Sequence, residues 1–165
     1  MNLISIRDAY IWGADQLKLS SSSTPLLDSQ VLLAKALNMS RLEIFCIVDQ
    51  KLKKNKLNIY KKYIFRRLKG EPVSYITKNR EFMSLLFNVK KGVLIPRQET
   101  ELLTEKTIDL LKNLKSSVKI IEAGTGCGNI SISLAKNIDN SQITTYEISK
   151  ESARIARNNI NKFRL

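Results

Sequence analysis

Val118-Lys-Ile-Ile-Glu122-Ala-Gly124-Thr125-Gly126-Cys127-Gly128 is the stretch whose reading decides the fold. A β-branched apolar run gives way to three glycines alternating with small residues, and a helical pattern resumes over 129–137. Strand, glycine loop and helix in that order are the context a nucleotide-type loop requires. Gly124, Gly126 and Gly128 permit unusual backbone angles and let the chain approach a ligand closely, with helix amides beyond them. The stretch lacks the Lys-Ser/Thr that must follow the last glycine of a Walker loop, and its spacing is not G-x-G-x-x-G, so the phosphate-binding readings fall away. A second strand, 142–147, ends in Glu147, 23 residues past Gly124. There a carboxylate can accept hydrogen bonds from a ribose 2′,3′-diol. With a further helix from Ser149 to about 162, the unit reads as the opening of a parallel α/β sheet whose glycines and acid form an adenosyl-ligand site. Cys127 reads as a small loop residue, because no base stands near it in sequence to activate a thiol.

Upstream, 99–114 carries Leu102, Leu103, Leu110, Leu111 and Leu114 at the spacing of an amphipathic helix. Short apolar runs at 82–86, 87–90 and 93–95, separated by Asn88 and Lys91-Gly92 and ended by Pro96, suggest a hairpin or meander. Glu71-Pro72 stops an earlier helical pattern, since the residue before proline is pushed out of the helical region. Before it the chain reads as a small helical bundle. Ser5 and Asp8 form a capping box for a helix to about Leu19, which Ser20 to Ser23 break. Thr24-Pro25 opens the next helix, with Leu26, Leu27, Val31, Leu32, Leu33 and Leu37 as its stripe and Asn38 as its close. Ser40 and Glu43 box a short third helix, and Leu57, Tyr60, Ile64 and Leu68 give a fourth its buried face before Gly70 ends it.

Composition narrows the chemistry. The 165 residues contain 28 Lys+Arg, 15 Asp+Glu and no histidine, a net charge of +13. Without histidine, Ser-His-Asp and Cys-His catalysis, His-ligated zinc and the usual neutral-pH proton shuttle are excluded. Cys46 and Cys127 are too far apart for a CxxC metal or redox motif, so no metal site is expected and a reducing, cytoplasmic setting is the default. Met1 to Arg7 shows no secretion signal, and no segment reaches the roughly 18 apolar residues of a membrane helix. Lys51, Lys53, Lys54, Lys56, Lys61, Lys62, Arg66, Arg67 and Lys69 form an acid-free basic run. A polyanion or an acidic partner is one reading of it; no aromatic or glycine pattern of a nucleic-acid module accompanies it, so the favoured reading is a solvated helix face, and direct nucleic-acid binding is not expected.

Four separated motifs, in order, resemble the peptide chain release factor glutamine methyltransferases, S-adenosylmethionine enzymes of the seven-stranded methyltransferase fold. Leu27-Asp-Ser-Gln-Val-Leu-Leu33 with Ser40-Arg-Leu42 is similar to that family's helical domain, and Gly70-Glu-Pro-Val-Ser-Tyr-Ile76 with Glu81-Phe82 to its interdomain segment. Val93-Leu-Ile-Pro-Arg-Gln-Glu-Thr-Glu101 resembles its most distinctive stretch, and 122–128 with Glu147-Ile-Ser149 its two cofactor motifs. Gln98 stands where a second proline is usual, Thr77 where glycine is usual, and Glu122 and Glu147 where aspartate is more frequent.

The resemblance implies an α/β protein: an N-terminal helical bundle that binds release factors (1–72), a β-hairpin interdomain segment (73–97), and the first half of a Rossmann-like methyltransferase sheet (98–165). It implies that Gly124, Thr125, Gly126, Cys127, Gly128 and Glu147 contact S-adenosylmethionine, and that Arg97, Glu99 and Glu101 shape the substrate entrance. The implied reaction is methylation of the side-chain amide of the Gly-Gly-Gln glutamine in peptide chain release factors. The family's Asn-Pro-Pro-Tyr motif, which holds that amide, is not among these residues, so no catalytic residue is identified and the chain reads as truncated before it. A remnant that keeps only partner binding is the alternative, and an adenine-N6 nucleic-acid methyltransferase a weaker one. Without the fourth sheet strand, 118–122 becomes an exposed apolar edge with one sheet face uncovered. The expectation is therefore a stable helical domain joined to a marginal half-sheet, monomeric as in the family but open to association through that edge.

Overall fold

The computed structural model describes residues 4–20, 22–114 and 116–165. Ser21, within the expected helix break, and 1–3, within the expected leaderless start, lie outside the described residues. Backbone contacts divide the chain into two compact units, Met1–Thr77 and Lys78–Leu165.

The first unit is helical: α1 (Ile6–Leu17), α2 (Pro25–Leu37), α3 (Arg41–Cys46), α4 (Lys54–Leu68) and the short α5 (Val73–Thr77). Both capping boxes form, Ser5 with Asp8 and Ser40 with Glu43, so each hydroxyl accepts from the amide three residues on and each carboxylate accepts from the cap amide. Pro25 occupies the first turn of α2 and Asn38 ends that helix in the left-handed region, at φ 61°. Helix α1 stops at Leu17, two residues short of the sequence expectation, because the Ser20 hydroxyl donates to the Leu17 carbonyl at 2.7 Å and closes the turn.

Leu17, Leu32, Leu33, Ile44, Tyr60 and Ile64 form the core of this unit. Its polar centre is Ser29, which donates to the Tyr10 carbonyl at 2.5 Å and lies 2.6 Å from the Tyr60 hydroxyl. Burial pushes the Tyr60 phenol well above its ordinary pKa, so it stays neutral. The hydroxyl fits because position 13 is glycine: a Cβ there would lie 1.8 Å from the Tyr60 oxygen. Asp28, in the first turn of α2, accepts from Ser22, Thr24 and Arg67, the last at 2.8 Å in a pair that is 18% and 11% exposed. Much of the basic run is absorbed structurally. Arg67 holds Asp28, Arg66 holds Glu71, Lys61 lies over the Trp12 ring and Lys69 over the Phe65 ring.

The second unit begins with β1 (Asn79–Phe82) and β2 (Leu85–Asn88), an antiparallel hairpin with Phe82 opposite Leu85. The turn therefore falls at Met83-Ser84, not at the Asn88 or Lys91-Gly92 breaks that the sequence marks, and 93–95 forms no strand. Met83 and Ser84 take φ of 50° and 59°, the primed geometry that matches hairpin twist but usually requires Asn-Gly. A tertiary contact holds it: the Met83 amide donates to Glu101 of α6 (Glu99–Leu111) at 2.9 Å.

That anchor also sets the rotation of α6. Glu101, Thr104, Ile108 and Leu111 share one face by helical spacing, and Thr104 and Ile108 are its buried residues. Leu102, Leu103 and Leu110, taken from the sequence as the apolar stripe, are 60%, 60% and 75% exposed. Next come β3 (Val118–Ala123), α7 (Asn129–Asn137), β4 (Ser141–Tyr146) and α8 (Lys150–Phe163). Strands β3 and β4 pair in parallel, Ile120 opposite Ile143 and Ala123 opposite Tyr146. Ile120 and Ile143 pack against Ile108, Leu134 and Ile138, so helices cover one face of the sheet. On the other face, among the described residues, Ile121 is 74% and Tyr146 61% exposed.

Two substitutions test these devices. Gly13→Ala is expected to destabilise the helical unit by about 3 kcal/mol in a denaturant titration, and adding Tyr60→Phe, which removes the oxygen in the way, to recover part of that loss. Ser84→Gly is expected to raise the melting temperature of the second unit by about 4 °C by relieving left-handed strain. A lower temperature would mean the turn is not strained.

Candidate functional site

The glycine loop follows the C-terminal end of β3, where open α/β sheets bind their ligands. The Gly124 and Thr125 amides donate to the Tyr146 carbonyl at 2.8 and 3.2 Å, and the Gly128 amide donates to Thr125 at 2.8 Å. Gly124, Gly126 and Gly128 all take positive φ, 78°, 57° and 83°. A Cβ would meet nothing within 4 Å at Gly124 and Gly126, so their faces are open. At Gly128 it would lie 3.0 Å from the tip of the Ile132 side chain and at ordinary contact distance, 3.6 Å, from Ala156, so it is the left-handed φ that calls for glycine there.

Glu147 is the pivot. One carboxylate oxygen accepts from the Gly126 amide at 2.8 Å and the other from the Ser149 amide at 2.8 Å. These amides, Ser149 first and then Gly126, hold its pKa below the ordinary carboxylate value, so the residue is anionic at neutral pH. A carboxylate offers about four lone-pair positions. The two backbone bonds leave acceptor capacity for a hydroxylated ligand.

The loop and Glu147 wall a cavity of about 520 Å³, within the ordinary range for small-molecule sites. Glu122, Gly124, Thr125, Gly126, Asn129 and Glu147 line it with polar groups, Leu94, Pro96 and Ile130 with apolar ones, and Arg97 is among its walls. Thr125 donates to Glu122 at 2.8 Å, which ties the end of β3 to the loop. Asn129 and Ile130 belong to the first turn of α7, whose amides lack intrahelical acceptors and are natural partners for a ligand.

The candidates of the sequence separate here. Gly124, Thr125, Gly126, Glu147 and Arg97 line one cavity. Cys127 is fully buried, its thiol pushed up to about 11 by burial, with Sγ donating to Asn129 at 3.5 Å; this is a neutral packed thiol and not a nucleophile. Cys127 and Gly128 give the loop its shape and do not line the cavity. Glu101 braces the hairpin turn, and Glu99 sits exposed in the first turn of α6. Sequence reasoning missed Leu94, Pro96, Asn129 and Ile130 as wall residues, although Leu94 and Pro96 lie in a quoted motif. Among the described residues no group of three His, Cys, Asp or Glu side chains could hold a metal ion, and no helix is long and apolar enough to cross a membrane.

The Glu147 grip should persist from neutral pH down to the ordinary carboxylate value of 4.5. Because the folded pKa is depressed, its contribution is full above that value and is lost as pH falls through the lower folded one. Amide chemical shifts of Gly126 and Ser149 followed against pH check this; movement of both between pH 6 and 8 would contradict it.

Residues 8–77 match the PrmC N-terminal domain. The chain is 35% identical over 156 residues to a release factor glutamine methyltransferase of Clostridium acetobutylicum, covering 94% of this chain and 54% of that protein. It is 35% identical over 164 residues to one of Dictyoglomus turgidum, covering 97% and 56%, and 40% identical over 139 residues to one of Buchnera aphidicola, covering 84% and 50%. The chain spans about half the length of the curated relatives it matches.

Proposed function

We propose that this chain, which belongs to the release factor glutamine methyltransferase family, binds S-adenosylmethionine in the cavity between the glycine loop and Glu147, for transfer of a methyl group to the side-chain amide of the Gly-Gly-Gln glutamine of peptide chain release factors. The observation that carries the reading is the Glu147 carboxylate, held between the Gly126 and Ser149 amides on the wall of that cavity. A group fixed in this way presents its remaining lone pairs in one direction, which suits a ribose diol better than a phosphate. Two acids on the wall, Glu122 and Glu147, favour a cationic ligand over a polyanionic one.

Bound S-adenosylmethionine supplies a methyl group on positively charged sulfur. Glu147 accepts from the ribose hydroxyls, and the open faces of Gly124 and Gly126 admit the ligand to the backbone. Leu94, Pro96 and Ile130 offer the ligand apolar contacts, and Glu122 offsets positive charge. An amide nitrogen is a weak nucleophile, so the transfer depends on orientation more than on proton shuttling, which is consistent with a chain without histidine. The helical unit, 8–77, is the part proposed to meet the release factor, and Arg97 is proposed to stand where substrate enters.

Calorimetry with S-adenosylmethionine tests the site. Binding by the chain is expected, weakened at least about tenfold by Glu147→Gln, whose amide cannot accept from both backbone donors; equal binding by the two would remove Glu147 from the site. Given labelled cofactor, a release factor and DNA or RNA together, whatever label is transferred is expected on the Gly-Gly-Gln glutamine. Label on adenine instead would assign the fold to nucleic-acid methylation.

A further inference from the structure

Asn159 lies on α8, outside the lining of the cavity described above, and is fully buried. Its side-chain nitrogen donates to the Cys127 carbonyl at 2.8 Å and to the Asn88 carbonyl at 3.1 Å, while its oxygen accepts from the Asn88 amide at 2.9 Å. One amide thus satisfies both backbone groups at the end of β2 and the carbonyl at the centre of the glycine loop. Only Asn offers two donors and one acceptor at this reach.

Two features make the contact specific. Gly128 follows Cys127 in the left-handed region, at φ 83°, where a Cβ would lie at ordinary contact distance from Ala156, one turn before Asn159 on α8. The carbonyl it holds sits between Gly126, which grips Glu147, and Gly128, which caps α7. The hairpin also has fastenings to α8 that do not touch the loop: Lys162 donates to the Leu86 carbonyl, and the Phe163 ring packs 5.2 Å from Phe87.

We infer that Asn159 is a positioning residue that holds the glycine loop through the Cys127 carbonyl, its own amide being fixed by the end of β2, so that the loop's ligand-binding shape depends on this side chain and not on the hairpin's other fastenings to α8. The ligand half of this rests on the S-adenosylmethionine reading above. Loss of the amide orphans a buried carbonyl next to Gly126 and frees the loop to leave its left-handed geometry, whereas loss of Phe163 loosens the hairpin alone.

The test compares Asn159→Leu with Phe163→Leu in the whole chain, at temperatures where thermal melts show both folded, by amide hydrogen exchange and S-adenosylmethionine calorimetry. Asn159→Leu is expected to speed exchange at Gly126 and Gly128 and to weaken binding about tenfold. Phe163→Leu is expected to lower the melting temperature with loop exchange and affinity unchanged. Should Asn159→Leu not fold, Asn159→Asp serves: it keeps the acceptor for the Asn88 amide and replaces the donor to Cys127, so loop protection should fall while Asn88 stays protected. Equal effects of Asn159 and Phe163 variants on the loop, or an unchanged loop in Asn159→Asp, would overturn the inference. Absence of binding by the unmodified chain would instead overturn the cofactor reading, and the exchange comparison would still decide the role of Asn159.

Discussion

A loop in which every second residue is left-handed turns backbone amides away from the regular partners that a helix or strand provides. Here one carboxylate resolves that constraint. Glu147 accepts from Gly126 in the loop after β3 and from Ser149 at the start of α8, joining the ends of both parallel strands. The charge that closes the loop is also the charge the loop offers a ligand, so one residue serves structure and recognition. Its depressed pKa follows from those two donors and keeps it ionised at neutral pH.

Around this pivot the second unit is built by side chains that satisfy backbone groups elsewhere in the chain. Glu101 holds the Met83 amide, Asn159 holds Asn88 and Cys127, and Thr125 ties back to Glu122. Such bonds are worth little singly against water, but each prevents an orphaned polar group. The helical unit follows the same logic with other parts: Ser29 satisfies Tyr60 and Tyr10 in an otherwise apolar core, and Asp28 gathers Ser22, Thr24 and Arg67 at the start of α2.

The readings that succeeded rest on short-range chemistry. Capping boxes at Ser5 and Ser40, proline in the first turn of α2, and glycines between a strand and a helix each act through neighbours within a few residues. The hairpin turn escaped because its signal is not local. Met83-Ser84 lacks the residues that favour its geometry and is held by a carboxylate 18 positions away. Leu102, Leu103 and Leu110 of α6 misled for a related reason: periodicity reports that a helix has an apolar stripe, and the face that packs carries Thr104, Ile108 and Leu111 instead.

Sequence by itself determined the first four helices, the strand-helix-strand-helix order from β3 to α8, the glycine loop, the acid at the end of β4 and the absence of histidine chemistry, since these depend on residue identity and spacing along the chain. Tertiary structure alone decided that Cys127 is buried while Gly124 and Gly126 are open, that Glu101 braces a turn, and that Asn159 reaches the loop from 32 residues away. A backbone carbonyl carries no mark in the sequence of which distant side chain will satisfy it. That choice is made only when packing brings the two together and excludes water.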